Sequence, residues 1–274
     1  MPAISDNLIH FLGRQYKESP FKQFEIFKSI IVNGLMCSKV NIKFSGGGVV
    51  HNSVVCFTDI PLSECDEHAA IYGKFGIGFK KSFVKNKGGN PARYFIDYLP
   101  SQIDEVSLVE NRGILYANLS MHFEFVKMIG EKLKSENDFC FFDKDGNILV
   151  HSSKLKEWYE LQITLLSYDK ETGDLGPARD ETKEIDLYYK EREWRLVPTN
   201  YNIVSKTVTI DEAQRKVFYS FSREDINVIV TPNDEIRSTV LRYLFSLAES
   251  EDKRLKDFGE NPVPIITYDD LKKW

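Results

Sequence analysis

The stretch Val55-Cys-Phe-Thr-Asp-Ile-Pro-Leu-Ser-Glu-Cys-Asp-Glu-His-Ala-Ala-Ile-Tyr72 joins an apolar run to a segment that favours a helix. The apolar residues Val54 to Phe57 at its beginning predict a buried strand. Pro61 is suited to open a helix, so Leu62 to Tyr72 predict a helix that ends in an aromatic ring. The position of this ring relative to two other predicted strands determines the fold and the site that the sequence predicts.

One of these strands is late in the chain, in Tyr189-Lys-Glu-Arg-Glu-Trp-Arg195. Residues two apart on a strand share a face, so Glu191, Glu193 and Arg195 would lie together. Trp194 would lie on the opposite face. The alternative is an exposed charged face opposite a buried tryptophan.

The other strand is Leu8-Ile-His-Phe-Leu12, which is short, apolar and followed by Gly13. Its His10 is either a functional group or a hydrogen-bonded core histidine. An amphipathic helix is predicted next, from Pro20 to a turn at Gly34, with Ser19 as its cap. The chain therefore carries histidine, tyrosine and glutamate in that order on or beside predicted strands.

The composition is that of a globular protein. The chain has 274 residues, of which 42% are apolar, enough for a sizeable core. We expect one α+β domain over residues 1–274, with a helical insertion at about 100–160 and an exposed loop at about 169–186.

Hydropathy, cysteines and charge limit the function classes. No run approaches the roughly 18 apolar residues of a membrane span, and no basic region precedes an apolar run at the start. The four cysteines have no paired spacing, so we expect reduced thiols and a cytoplasmic location. The net charge of −5 means that nucleic acid would need a local basic patch. The candidate patch, for which a solvated helix face is the alternative, comprises Lys80, Lys81, Lys85, Lys87 and Arg93.

Several familiar motifs are absent from the sequence. The glycines of residues 73–78 lack the GxGxxG order, and there is no GxxxxGK[ST] or GxSxG, which argues against Rossmann, P-loop and hydrolase sites. Cys56, Cys65 and His68 lack the paired spacing of a zinc site, and we expect no bound metal.

The order of the elements resembles the ADP-ribosyltransferase fold, with its split mixed or antiparallel sheets and flanking helices. In the poly(ADP-ribose) polymerase and diphtheria-toxin-like branches, a strand histidine, a tyrosine and a late glutamate form the nicotinamide site. The resemblance assigns these roles to His10, Tyr72 and Glu193. Glu191-x-Glu193 also resembles the Glu-x-Glu motif of arginine-directed and nucleic-acid-directed transferases.

A closer resemblance is to the AbiGi family of bacterial abortive-infection proteins. It rests on HFLG at residues 10–13, VVCFTDIPLSECDEHAAIYGKFGIGFKKSF at 54–83, GGNPARYF at 88–95 and YYKEREWRLV at 188–197. This resemblance implies a role in phage defence. The family also carries an antitoxin label.

The transferase resemblance implies NAD as the co-substrate. Glu193 would stabilise the oxocarbenium-like ribose and Tyr72 would stack on the nicotinamide, while Glu191 would orient or deprotonate the acceptor. The residues expected to bind NAD are His10, Phe11, Arg14, Phe57, Tyr72, Phe79 and Arg195.

Two functions from different classes follow from the sequence. The first is an anti-phage ADP-ribosyltransferase toxin, held in check by a neutralising partner, that modifies a macromolecule. RNA or DNA is favoured as acceptor, because Tyr188, Tyr189 and Trp194 could stack on a base. The second is a non-catalytic antitoxin or regulator that binds a partner toxin.

Overall fold

The computed structural model describes residues 6–43, 49–95, 114–135, 140–142, 144–145, 148–171 and 192–271. The chain divides into two compact units, which we describe separately. Unit 1 comprises Met1–Ser38, Ser53–Pro91 and Lys190–Trp274, and unit 2 comprises Lys39–Asn52 and Ala92–Tyr189. The single domain expected from the sequence stays a prediction.

The described residues form helices and mixed sheets, which confirms the predicted α+β class. The strands are β1 Asn7–Phe11, β2 Leu35–Met36, β3 Ser38–Lys43, β4 Val49–Thr58, β5 Gly76–Lys80, β6 Asn90–Pro91, β7 Arg93–Phe95, β8 Cys140–Phe142, β9 Ile148–His151, β10 Asp169–Glu171, β11 Glu193–Leu196, β12 Val208–Asp211, β13 Lys216–Tyr219, β14 Ile226–Thr231 and β15 Ile265–Thr267. The helices are α1 Pro20–Asn33, α2 Asp66–Tyr72, α3 Lys81–Asn86, α4 Ile114–Ser135, α5 Ser152–Leu166, α6 Asn200–Val204, α7 Asp234–Ser246, α8 Lys253–Glu260 and α9 Tyr268–Leu271. None of these helices is long and apolar enough to cross a membrane.

A mixed sheet with the strand order β15-β14-β5-β1-β4-β11-β6 organises unit 1. Its central strand β1 pairs antiparallel with β5 along its whole length, from Asn7 to Phe11. The neighbouring residues Leu8 and Ile9 are both buried, so both faces of the sheet are covered at this strand. A methyl group on Gly78 of β5 would lie 2.6 Å from Val228 Cγ1. The predicted strand glycine is therefore explained by the close approach of β14.

Helix α1 covers one face of this sheet with the apolar residues that the sequence predicted. Phe27 is fully buried, and its ring lies 5.5 Å from that of Phe75. Gly34 ends the helix with a φ of 97°, a conformation that favours glycine. Ser19 occupies the N-cap position as predicted, but its side chain makes no capping hydrogen bond.

The start of α7 corrects a second capping prediction. The sequence suggested that Thr231 and Asp234 would satisfy the first free amides of this helix. Instead, Asn233 is the cap, and its Oδ1 accepts a hydrogen bond of 3.0 Å from the Ile236 amide. Thr231 belongs to β14, and its hydroxyl donates to the carbonyl of Ile266 on the neighbouring β15 at 3.2 Å.

Unit 2 contains α4, α5 and the parallel pair β7 and β10. Its core comprises Val50, Phe123, Val126 and Leu166, with Val40, Trp158, Tyr159 and Ile163 packed against them. The loop predicted at about 169–186 is wrong at its beginning, since β10 starts at Asp169. That residue is fully buried and lies 2.7 Å from Arg93 Nε on the paired strand. The rest of the predicted loop lies outside the described residues.

Candidate functional site

Three neighbouring strands of unit 1 carry five of the predicted site residues, namely His10, Phe11, Phe57, Glu193 and Arg195. Thr58 of β4 pairs with Ile9 of β1 on one side and with Glu193 of β11 on the other. Residues directly opposite one another in a sheet share a face, so Ile9, Thr58 and Glu193 form one row on one face. This row fixes the face to which the predicted catalytic carboxylate belongs.

His10 belongs to the other face, because it follows Ile9 by one residue. The His10 ring lies 5.7 Å from that of Phe57, and Phe57 pairs with Trp194. Each of these three residues is the chain neighbour of a residue in the Thr58 row, so all three belong to the opposite face. His10 Nδ1 donates to the carbonyl oxygen of Cys56 at 2.8 Å. Burial lowers the pKa of His10 below its ordinary value of 6.5, and this hydrogen bond opposes the shift. The imidazole and the Glu193 carboxylate therefore start from opposite faces of the sheet.

Tyr72 ends α2 and lies in an aromatic cluster. Its ring lies 6.4 Å from that of Phe11 and 5.6 Å from that of His68, in nearly parallel orientations. The guanidinium carbon of Arg14 lies 5.3 Å from the centre of the Tyr72 ring, within cation–π distance. By strand alternation Phe11 shares the face of Ile9 and hence that of Glu193. The structure thus brings Phe11, Arg14 and Tyr72 together and leaves His10 on the opposite face.

Glu193 and Arg195 form an ion pair within β11. Arg195 Nε donates to Glu193 Oε1 at 2.9 Å, and its Nη2 donates to Oε2 at 3.3 Å. The two side chains are only 12% and 8% exposed, so the carboxylate is held by a guanidinium of its own strand in a poorly hydrated place. The sequence predicted that Glu193 and Arg195 share a face, and in the structure the carboxylate and the guanidinium are bonded to each other. Glu191 lies outside the described residues.

Phe57 and Phe79 belong to the core and not to a ligand surface. Phe57 is 3% exposed and Phe79 is fully buried, with their rings 5.8 Å apart. Phe79 also lies against Phe83 and Phe221. A dinucleotide could reach these rings only by displacing core side chains, which argues against their expected role in NAD binding.

Two residues of the predicted basic patch, Lys81 and Arg93, are held in ion pairs. Lys81 turns inward, where its Nζ lies 2.7 Å from Asp59 Oδ2 and 5.5 Å from the centre of the Trp194 ring. Arg93 belongs to unit 2 and pairs with Asp169. The Asp59–Lys81 pair was not predicted, because its two residues come from different elements and no sequence motif links them.

Most of the exposed large apolar side chains among the described residues of unit 2 lie on α4 and α5. On α4 the buried stripe comprises Phe123, Val126 and Ile129. A second apolar stripe, at i, i+4 and i+7 spacing, lies away from it: Met121 is 71% exposed, Phe125 50% and Met128 54%. Contiguous exposed apolar side chains of this kind are typical of interaction sites.

Helix α5 extends this surface with a stripe of its own. Leu161 is 60% exposed and Leu165 44%, and both follow the half-buried Trp158 at helical spacing. The Phe125 and Trp158 rings meet edge to face, with their centres 5.7 Å apart. A hydrogen bond of 2.8 Å between His122 Nε2 and Gln162 Oε1 joins α4 and α5 at a second point. We call Met121, Phe125, Met128, Trp158, Leu161 and Leu165 the α4–α5 apolar face.

The comparison with protein families identifies the chain. A family model described as "Putative abortive phage resistance protein AbiGi, antitoxin" matches residues 47–232, which include α2, β11, α4 and α5. The chain is therefore a protein of the abortive phage resistance class. It belongs to the AbiGi family. No curated protein and no solved structure matches it.

This family membership overturns the main functional prediction from the sequence. The ADP-ribosyltransferase toxin expected from the order of His10, Tyr72 and Glu193 is wrong, because the family is described as an antitoxin family. The resemblance to abortive-infection proteins, which was also stated from the sequence, is confirmed. The alternative of a partner-binding antitoxin is the one that the family supports.

Proposed function

We propose that this chain is a non-catalytic antitoxin or regulator of an abortive infection system and acts by binding a toxin protein. The family description carries the proposal, since the match covers residues 47–232. The α4–α5 apolar face supports it, because an exposed patch of contiguous apolar side chains is typical of a protein interaction site. Two of its residues are methionines, which adapt well to a partner surface.

The arrangement of the predicted catalytic residues supports the same proposal. Glu193 is bonded by Arg195, and His10 belongs to the opposite face of the sheet from Glu193. Both observations fit structural roles for these residues. The NAD site and the finer fold prediction, split sheets like those of ADP-ribosyltransferases, stay predictions.

We place the action of the protein in the cytoplasm, where an antitoxin would meet a toxin before the toxin acts on the cell. Cys37, Cys56 and Cys65 are reduced thiols, as a reducing compartment permits. Nucleic acid as an acceptor is no longer part of the proposal.

A growth assay tests the proposed function. The toxin of the same abortive infection system is expressed alone, with this chain, or with its Phe125→Glu variant. We expect the chain to restore growth and the variant to restore it poorly, because one buried large apolar side chain contributes about 1.5–3 kcal/mol. Phe245→Glu is the matched control, since Phe245 of unit 1 is also half exposed, at 55%.

Growth arrest caused by this chain alone, and relieved by Glu193→Gln, would contradict the proposal. So would a failure of the chain to protect cells when both proteins are shown to be produced. Protection that Phe125→Glu and Phe245→Glu reduce equally would leave the antitoxin function but move the interface elsewhere.

A further inference from the structure

The α4–α5 apolar face has two rows of side chains, and each row is continued by a lysine. On α4 the row is Met121, Phe125, Met128 and Lys132, with spacings of four, three and four residues. On α5 the row is Leu165, Leu161, Trp158 and Lys154, with the same spacings in reverse order. Because the Phe125–Trp158 and His122–Gln162 contacts make these helices antiparallel, Lys132 and Lys154 close the same end of the face.

The face is therefore electrically polar along its length. Around its lysine end, residues 131–135 and 152–157 carry four lysines and two glutamates. Around the opposite end, residues 121–127 and 160–166 carry Glu124, Glu160 and Lys127. The local positive charge stands out in a chain whose net charge is −5. Lys154 lies 2.8 Å from Glu157, but both side chains are largely exposed, so this pair can be exchanged at little cost.

The shape of the face indicates what kind of element it accepts. Two antiparallel helices in contact leave a shallow groove between them, which suits a third helix packed ridge into groove. From Met121 to Lys132 the α4 row extends about 17 Å, or roughly three helical turns. A partner helix of that length would present apolar side chains at i, i+3 or i+4, and i+7.

We propose that the α4–α5 apolar face binds an amphipathic helix of the partner toxin, with acidic residues at the end that meets Lys132 and Lys154. The inference rests on the proposed function, since it describes the toxin segment that the antitoxin holds. Apolar burial would supply most of the affinity, and the two lysines would fix the direction in which the helix lies. A parallel two-fold pairing of this chain through the same face would bring two lysine ends together, which disfavours that arrangement.

Synthetic helical peptides of four turns test the inference on the full chain. Each peptide carries leucines along one face and either two glutamates or two lysines at one terminus, and both termini are tried. Fluorescence anisotropy measures the dissociation constants. We expect a glutamate peptide to bind at least about tenfold more tightly than its lysine counterpart. The variant Lys132→Glu with Lys154→Glu should reverse this preference, Phe125→Glu should abolish binding, and Phe245→Glu should leave binding unchanged.

Equal affinities for both kinds of peptide, no binding of either, or no reversal by the double variant would overturn the inference. Concentration-dependent dimerisation of the chain that Phe125→Glu abolishes, without peptide binding, would assign the face to a second copy. The growth assay separates this failure from that of the proposed function. If the Phe125 variant and the lysine variant both still protect cells against the toxin, the proposed binding of a toxin helix to this face is wrong but the antitoxin function stands. If the chain binds the peptide but does not protect cells, the antitoxin function is wrong.

Discussion

Arg195 holds the carboxylate of Glu193 through two hydrogen bonds from two positions further along the same strand. Both side chains are almost buried, so each is the counter-charge that the other needs. The group that the sequence predicted as the catalytic carboxylate is thus a fixed part of β11. We therefore expect the Glu193 carboxylate to contribute to the stability of the fold.

The first prediction concerns this ion pair. Arg195→Leu leaves a poorly hydrated carboxylate without its guanidinium, and we expect the free energy of unfolding to fall by about 3–5 kcal/mol. Urea denaturation measures the change. Glu25→Gln is the control, because Glu25 pairs with Lys28 on an exposed helix face and should contribute less than about 1 kcal/mol. Equal effects of the two substitutions would show that the β11 pair is solvated.

The second prediction concerns the pH dependence of stability through His10. Its pKa is lowered in the folded protein, so the folded state binds fewer protons than the unfolded state near pH 6.5. The stability due to neutral His10 is therefore complete above pH 6.5 and is lost as the pH falls below it towards the lowered pKa. Urea denaturation from about pH 8 to about pH 5 measures this slope.

A His10→Asn variant supplies the comparison for that experiment. Asparagine can still donate to the Cys56 carbonyl but does not titrate in this range, so the slope between pH 6.5 and about pH 5 should become shallower. An unchanged slope would assign the acid sensitivity to other groups. His51→Asn is the matched control, because His51 is hydrogen-bonded to Asn41 at an exposed position of unit 2.

The third prediction compares two phenylalanines of α1. Phe27 is fully buried against Phe75, and Phe27→Ala should lower the free energy of unfolding by about 3–5 kcal/mol. Phe21 is 54% exposed, and Phe21→Ala should change it by less than about 1 kcal/mol. Equal losses would mean that the exposed face of α1 is covered in solution.

The fourth prediction tests the corrected helix cap. Asn233→Ala removes the oxygen that accepts from the Ile236 amide, and we expect a loss of about 1 kcal/mol in thermal or urea unfolding. Asp234→Ala should cost less, because Asp234 is the first helical residue and its carboxylate lies 2.9 Å from Arg237 on an exposed surface. A larger loss at Asp234 would restore the capping scheme expected from the sequence.

The fifth prediction concerns NAD. If the chain is a non-catalytic antitoxin, incubation with NAD should release no nicotinamide above the rate without protein, and Glu193→Gln should change nothing. Liquid chromatography of the reaction mixture measures this. Release that Glu193→Gln or Tyr72→Ala abolishes would revive the transferase chemistry.

The elements that depend on local patterns could be predicted from the sequence. The apolar spacing of α1, the histidine strand β1 and the shared face of Glu193 and Arg195 all agree with the structure. These features follow from the periodicity of one segment, which the sequence displays directly.

The relation between distant strands could not be predicted in this way. Whether His10 and Glu193 share a face depends on the register that each strand adopts with β4, and a shift of one residue would reverse the outcome. The inward turn of Lys81 depends likewise on Asp59, which another element brings to it. The order of residue types along the chain reveals neither the strand register nor this contact.

The two apolar stripes of α4 limit how its sequence can vary. Ile129 is buried, so a polar residue in its place would destabilise unit 2, whereas under the proposed function the half-exposed Phe125 is constrained by its contact with the partner. The charged edge of α4 carries Glu124, Lys127 and Glu131, and substitutions there affect neither the buried stripe nor the exposed stripe. Among related chains, drift along α4 should therefore concentrate on that edge, while the exposed stripe should change together with the toxin.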